Sequence, residues 1–242
     1  MSRIYLVRHG QAGTREAYDS LSNLGKRQAR LLGEYFLSEG TQFAAAFSGT
    51  LARQAQTALE VKAAYHDAGA RFPELAWDCG WNEFDLAGIY RAFAPRLCEE
   101  DAGFAREYRE LAAQARAAAN QHEAPVNRRW MPCDTKLVEA WIARRYSSDV
   151  ESWAEFHARV TDRRSRLSAI GSDASVVVFT SATPIGIWTA LAMDIHDERA
   201  LRLAGALRNA SYTTLRLRDG QVRLDSFNAI PHLAMPQLRT YR

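Results

Sequence analysis

An α/β fold, a three-layer sandwich whose mostly parallel sheet lies between helices and carries a helical insertion, is predicted by three features of the sequence. Short, fully apolar runs such as Ile4–Val7 and Val176–Phe179 alternate with helical patterns, which is how strands buried on both faces of a parallel sheet read. With 242 residues, 47% of them apolar and 24% charged, the chain can bury a sizeable core, which excludes disorder and fibrous repeats. No Gly/Ser/Pro-rich linker divides it, so residues 1–242 read as one domain with a mainly helical insertion at about 90–150.

Each element follows from local pattern. Ile4–Val7 is the first strand, and Ser22–Leu37 carries apolar residues at helical spacing with Ser22 at the N-cap. Phe43–Phe47 is a second strand, Leu51–Tyr65 a helix and Leu75–Trp77 a third strand. From Tyr90 to Ser148 the text is rich in Ala, Arg and Glu, broken by Pro95, Pro125 and Pro132, and reads as helices. Ala154–Ile170 is a helix, Val176–Phe179 a strand and Ile185–Met193 a helix. Ser211–Leu217 and Val222–Phe227 flank Asp219-Gly220, a hairpin signal.

Bulk properties narrow the function classes. A net charge of +3 does not point to nucleic acid or to a membrane surface. Lys occurs only at 26, 62 and 136, so 28 of the 31 cations are Arg, a general habit in which only individual positions carry meaning. Cys79, Cys98 and Cys133 form no CxxC pair and leave one over from any disulfide, which fits a reducing compartment and no zinc site. Ile4–Val7 is followed at once by Arg8 and His9, so no signal-peptide core opens the chain and a cytoplasmic location is expected. Ala174–Met193 holds no charge, yet its Thr180–Pro184 turn chemistry makes it strand, loop and buried helix rather than a membrane span.

In parallel α/β sheets, ligands bind beyond the carboxyl ends of the strands. Past the first strand stand Arg8-His9-Gly10; past the second, Ser48 and Arg53; past the third, Asn82-Glu83; past the fourth, Thr180-Ser181, opening a helix. That set suits phosphate. Arg forks and helix N–H groups bind its oxygens, an imidazole can take the phosphoryl group, and a carboxylic acid can protonate the leaving oxygen.

These residues also carry a resemblance. Leu6-Val7-Arg8-His9-Gly10-Gln11-Ala12 resembles the signature of the histidine phosphatase superfamily, the phosphoglycerate mutase-like branch one. Leu21–Ala29 resembles the family's segment opening the first helix, and Ser48–Thr57 its serine, leucine, arginine, threonine motif. Trp81-Asn82-Glu83 resembles the proton-donor segment. Asn209-Ala210-Ser211, Phe227-Asn228 and His232-Leu233 match the closing strands of bacterial members. The resemblance implies a phosphoglycerate mutase-like fold and a metal- and cofactor-independent phosphatase acting on a small phosphorylated substrate and releasing inorganic phosphate. It implies His9 as nucleophile through a phosphohistidine, Glu83 as proton donor, Arg8 and Arg53 as phosphate ligands, and Gln11 as a further hydrogen-bond donor or a turn-structuring residue.

Two departures limit the transfer. Ser181 stands where the family typically has a second histidine followed by glycines, so a neutral hydroxyl replaces a cationic group at the phosphate. Gly88 lies five residues after Glu83 where four is common, which keeps Asp85 as a rival donor. A mutase-type phosphotransferase and a non-catalytic phospho-ligand module remain alternatives. Elsewhere His66, His122, His157 and His196 read as solvated, His232 as a tie for the last strands, Trp130, Trp141 and Trp153 as core anchors, and Arg128-Arg129 and Arg144-Arg145 as a solvated face.

Overall fold

In the computed structural model, residues 2–13, 19–119, 130–196, 199–218 and 220–241 are described, the side chains of 115–119 excepted. His122, Arg128, Arg129 and Asp219 lie outside them. By backbone contacts the described chain falls into two compact units, the second being Phe84–Ala158 and the first the remainder.

The first unit is a six-stranded sheet of order β3-β2-β4-β1-β5-β6. Its strands are β1 (Ser2–Arg8), β2 (Ala45–Ser48), β3 (Leu75–Trp77), β4 (Ser175–Thr180), β5 (Tyr212–Arg218) and β6 (Gln221–Ala229). The first four run parallel, and β5 and β6 are antiparallel additions beside β1. Alternation along β1 and β4 explains why both read as apolar throughout. Tyr5, Val7, Val177 and Phe179 pack with Leu32, Phe36, Val61 and Tyr65 of α1 (Asn23–Ser38) and α2 (Ala52–Asp67). Ile4, Leu6, Val176 and Val178 on the other face are equally buried, and α8 (Ala182–Met193) covers that side, itself buried at Ile185, Ile187 and Trp188.

Ser22 caps α1 as expected, its hydroxyl accepting from the Gly25 N–H at 3.0 Å. The predicted helix over Ala154–Ile170 is instead two, α6 (Trp153–Thr161) and α7 (Arg164–Ser168). Arg163 sits in the break with its side chain donating to the Arg159 carbonyl at 2.9 Å and to Asp78 at 3.0 Å. A short helix unforeseen in the sequence, α9 (Ala200–Ala206), lies between α8 and β5. Gly220 turns the β5–β6 hairpin with φ +74°.

The second unit contains α3 (Leu86–Glu100), α4 (Ala102–Ala119) and α5 (Pro132–Ile142). Trp141, Trp153 and Phe156 form an aromatic cluster, with Trp141 and Trp153 edge to face. Buried Asp134 accepts from the Tyr90 hydroxyl at 2.7 Å and from the Met131 N–H at 2.8 Å. Burial, with Cys133 and Asp134 alongside, pushes the Tyr90 phenol well above its ordinary value. Trp130 is no core anchor; it is 41% exposed, with its indole N–H on the Thr135 hydroxyl. Arg145 is exposed and paired with Glu100 at 2.6 Å.

Candidate active site

The register of the parallel strands builds the candidate site. Arg8 pairs with Thr180 at the ends of β1 and β4, and Ser48 of β2 pairs with Phe179. His9, Ser181 and Gly49 therefore leave three adjacent strands at the same edge. The His9 N–H donates to the Thr180 carbonyl at 3.0 Å, and the His9 carbonyl accepts from Ala210 at 3.1 Å. Both anchors fix the backbone of the candidate nucleophile.

The ring is fixed as well. His9 Nδ1 lies 2.8 Å from the Gly10 carbonyl. A carbonyl oxygen only accepts, so Nδ1 donates, and in the neutral ring the lone pair is then on Nε2. Gly10 is demanded by close approach, since a Cβ there would stand 2.4 Å from the Gly25 carbonyl oxygen, and one on Gly25 would stand 2.1 Å from that of Gln11. Loop and helix start touch backbone to backbone, which joins two segments that the sequence places fifteen residues apart.

Thr57 completes the wiring. Its hydroxyl accepts from the Gly10 N–H at 3.0 Å and donates to the Arg53 carbonyl at 2.7 Å, so the helix carrying Arg53 is tied to the loop carrying His9. Arg8 is buried and its guanidinium donates to the Leu207 carbonyl. Arg53 donates to Asp19 at 2.6 Å, and the same carboxylate accepts from the Ala52 N–H at the start of α2 at 2.9 Å.

Glu83 approaches from the segment after β3. Its Oε2 accepts from the Thr183 N–H at 3.0 Å in the first turn of α8. Arg159 steadies that segment by donating to the carbonyls of Cys79, Gly80 and Asn82 at 2.9, 3.2 and 3.2 Å. Asp85 is occupied differently. It caps α3 by accepting from the Gly88 N–H at 2.9 Å and sits 3.4 Å from Arg91 at the surface.

Gln11 has structural partners. Its backbone N–H donates to Gln28 at 2.9 Å, and its side-chain oxygen accepts from the Ser22 hydroxyl at 2.9 Å. Ser181 is buried, and its Oγ accepts from Gln54 Nε2 at 2.8 Å. Thr57 was marked in the sequence as the closing threonine of the Ser48–Thr57 motif, but neither Gln54 nor Asp19 stood out, although Gln54 next to Arg53 could have been suspected as a polar residue on a helix face that must be buried. Among the described residues, no group of three or more His, Cys, Asp or Glu side chains is placed to hold a metal ion. No helix there is long and apolar enough to cross a membrane.

The sequence profile of the histidine phosphatase superfamily (branch 1) matches residues 4–121 and 128–230. The chain belongs to this superfamily. No curated protein sequence matches it. Among solved structures it is similar to a phosphoserine phosphatase mutant of Entamoeba histolytica in complex with phosphoserine, at 16% identity and a TM-score of 0.60, covering 96% of this chain and 100% of that one. It is also similar to a mycobacterial glucosyl-3-phosphoglycerate phosphatase in complex with inorganic phosphate, at 20% identity and a TM-score of 0.62, covering 96% and 99%. At these identities the likeness fixes the phosphoglycerate mutase-like fold and leaves the substrate open.

Proposed function

We propose that this histidine phosphatase-superfamily chain hydrolyses a small phosphomonoester through a phosphohistidine on His9. The observation that carries the reading is the His9 ring held through Nδ1 at the Gly10 carbonyl, beside Arg8 at the end of β1, an arrangement that leaves the lone pair of a neutral imidazole on Nε2. Nε2 attacks phosphorus in line, the bond from phosphorus to the leaving oxygen breaks, and Glu83 delivers a proton to that oxygen. Arg8 and Arg53 take up charge as it spreads over the non-bridging oxygens. Water then attacks the phosphohistidine, Glu83 takes its proton, and inorganic phosphate leaves with the imidazole restored. A small phosphorylated ligand suits the arginine pair, and the relatives with bound phosphoserine and phosphate support that class. The thiols of Cys79, Cys98 and Cys133, none in a disulfide, support work in a reducing compartment such as the cytoplasm. The chain is best read as a single domain with a mainly helical insertion at about 90–150.

Rapid quench and mass spectrometry at alkaline pH should trap phosphate on His9 during turnover. Glu83→Gln should slow an alkyl ester far more than an aryl ester with an acidic phenol, since only the alkyl leaving group needs a proton. Equal losses on the two esters would remove Glu83 from the donor role, and the same selectivity in Asp85→Asn would transfer it.

A further inference from the structure

We propose that Gln54 is a positioning residue that sets the direction of the Ser181 hydroxyl proton, so that the two side chains together supply a neutral donor to the phosphoryl oxygens. The inference rests on the phosphatase reading above.

Gln54 is 0% exposed, and a buried amide is costly unless it is bonded. Its Nε2 faces the Trp81 carbonyl at 3.1 Å and Ser181 Oγ at 2.8 Å. The carbonyl only accepts, so the amide nitrogen is the atom turned toward it, and that nitrogen only donates. Ser181 Oγ is therefore the acceptor in this pair. A hydroxyl has one proton, and that proton is directed away from Gln54.

The local sequence strips Ser181 of its ordinary task. Ser181 is the N-cap of α8, where a serine oxygen usually accepts from the second or third N–H of the helix. Here the Thr183 N–H goes to Glu83, and the next residue, Pro184, has no N–H to give. Ser181 accordingly makes no side-chain cap bond. Its hydroxyl is buried, oriented by Gln54 and held one residue beyond the Thr180 carbonyl that binds the His9 backbone.

Gly49 makes room for the arrangement. A Cβ there would stand 1.9 Å from Gln54 Oε1, so a larger residue would push the amide out of place. Removing the Gln54 amide leaves the Trp81 carbonyl with a second donor, the Thr180 hydroxyl at 2.6 Å. A Gln54→Met protein therefore retains a bonded carbonyl and a side chain of similar length.

The test is a double-mutant cycle on Gln54→Met and Ser181→Ala, read as kcat and KM on one phosphomonoester and as orthovanadate binding. Gln54→Met alone should lower kcat about tenfold with little change in KM, and should weaken orthovanadate to a similar degree. In the Ser181→Ala background the same change should cost less than twofold. Equal Gln54→Met losses in both backgrounds would overturn the proposal, because the amide would then act on something other than the hydroxyl.

Gln54→Glu gives an independent readout that tolerates a failure of Gln54→Met to fold. Its carboxylate accepts, turns the Ser181 proton onto itself and should depress kcat above the pH at which that carboxyl ionises, with recovery as the pH falls. A flat ratio to wild type across pH would also overturn the proposal. Orthovanadate binding needs no turnover. A wild type that cleaves no phosphomonoester would sink the functional reading, while the cycle in orthovanadate still decides the Gln54–Ser181 coupling.

Discussion

Two arginine–aspartate clusters at strand ends of the sheet-bearing unit are bonded in opposite ways. At the end of β3, Asp78 is buried and accepts from Arg163 at 3.0 Å, Arg166 at 2.5 Å and the Gly80 N–H at 2.8 Å. Burial alone would raise the Asp78 carboxyl, but these donors outweigh it and hold the group below its ordinary value. There the carboxylate is inside and the arginines wrap it, Arg166 being 61% exposed. At the end of β2 the arrangement is reversed. The Arg53 side chain is 11% exposed and its partner Asp19 is 50% exposed. At Asp78 the desolvated partner is the carboxylate, held by several donors, whereas at Arg53 the desolvated partner is the arginine and the carboxylate is wet. The difference lies in which partner is desolvated, since both clusters contain the same residue types.

The largest expected effect lies at the edge that carries Arg53. His9→Ala should lower turnover by a thousandfold or more, and Arg53→Ala should lower kcat/KM by about a hundredfold, each with a nearly unchanged melting temperature. Steady-state kinetics beside thermal denaturation checks both. A large loss of stability in Arg53→Ala without a kinetic effect would assign Arg53 to the structural class.

At the other cluster the expectation is inverted. Asp78→Ala leaves Arg163 and Arg166 without their shared carboxylate and should cost about 2 to 3 kcal/mol of stability, below the usual toll for a buried pair because Arg166 is well hydrated. Its folded fraction should lose much less activity than Arg53→Ala. Chemical denaturation of the variant, with kinetics on the same sample, decides it.

These two clusters also show what the sequence could and could not convey. Arg8, His9 and Arg53 were legible because strand ends and a helix start place them whatever the side chains do later. The role of Asp78 was not, because it depends on Arg163 and Arg166, more than eighty positions away along the chain. Ser181 was legible as a position, while its partner Gln54, 127 residues away, became visible only through a side-chain hydrogen bond. Trp130 failed for a related reason, since composition marks an indole for burial but only packing supplies a neighbour.

A buried base sharpens the contrast further. His232 is buried, and burial pushes its imidazole down to about 4, the Ala210 backbone opposing more weakly. An unfolded histidine takes up its proton near 6.5, so between about 6.5 and 4 the unfolded chain binds a proton that the folded chain refuses. Stability conferred by the neutral ring is therefore fully present above 6.5 and is lost as the pH falls. The loss should reach about 2.5 kcal/mol near pH 4.5. His232→Phe should flatten this part of the stability profile in denaturant titrations at pH 7 and 4.5, and an unaltered slope would show that another group drives it.

The smallest effect is expected at Asp19, the wet carboxylate that separates the two clusters in kind. Asp19 occupies one arm of Arg53 and the Ala52 N–H, two donors of the type that a phosphate oxygen seeks. Under the proposed phosphatase reading an incoming dianion competes with this carboxylate, and a half-exposed ion pair contributes less than about 1 kcal/mol. Asp19→Asn removes the competing charge while keeping an oxygen to cap α2, so KM should fall two- to fourfold with kcat unchanged. The gain should shrink as salt is raised, because the Arg53–Asp19 pair is partly solvated and screened. If KM rises instead and kcat falls with it, Asp19 holds Arg53 in its working orientation, and a wet carboxylate would then be as structural as the buried one at Asp78.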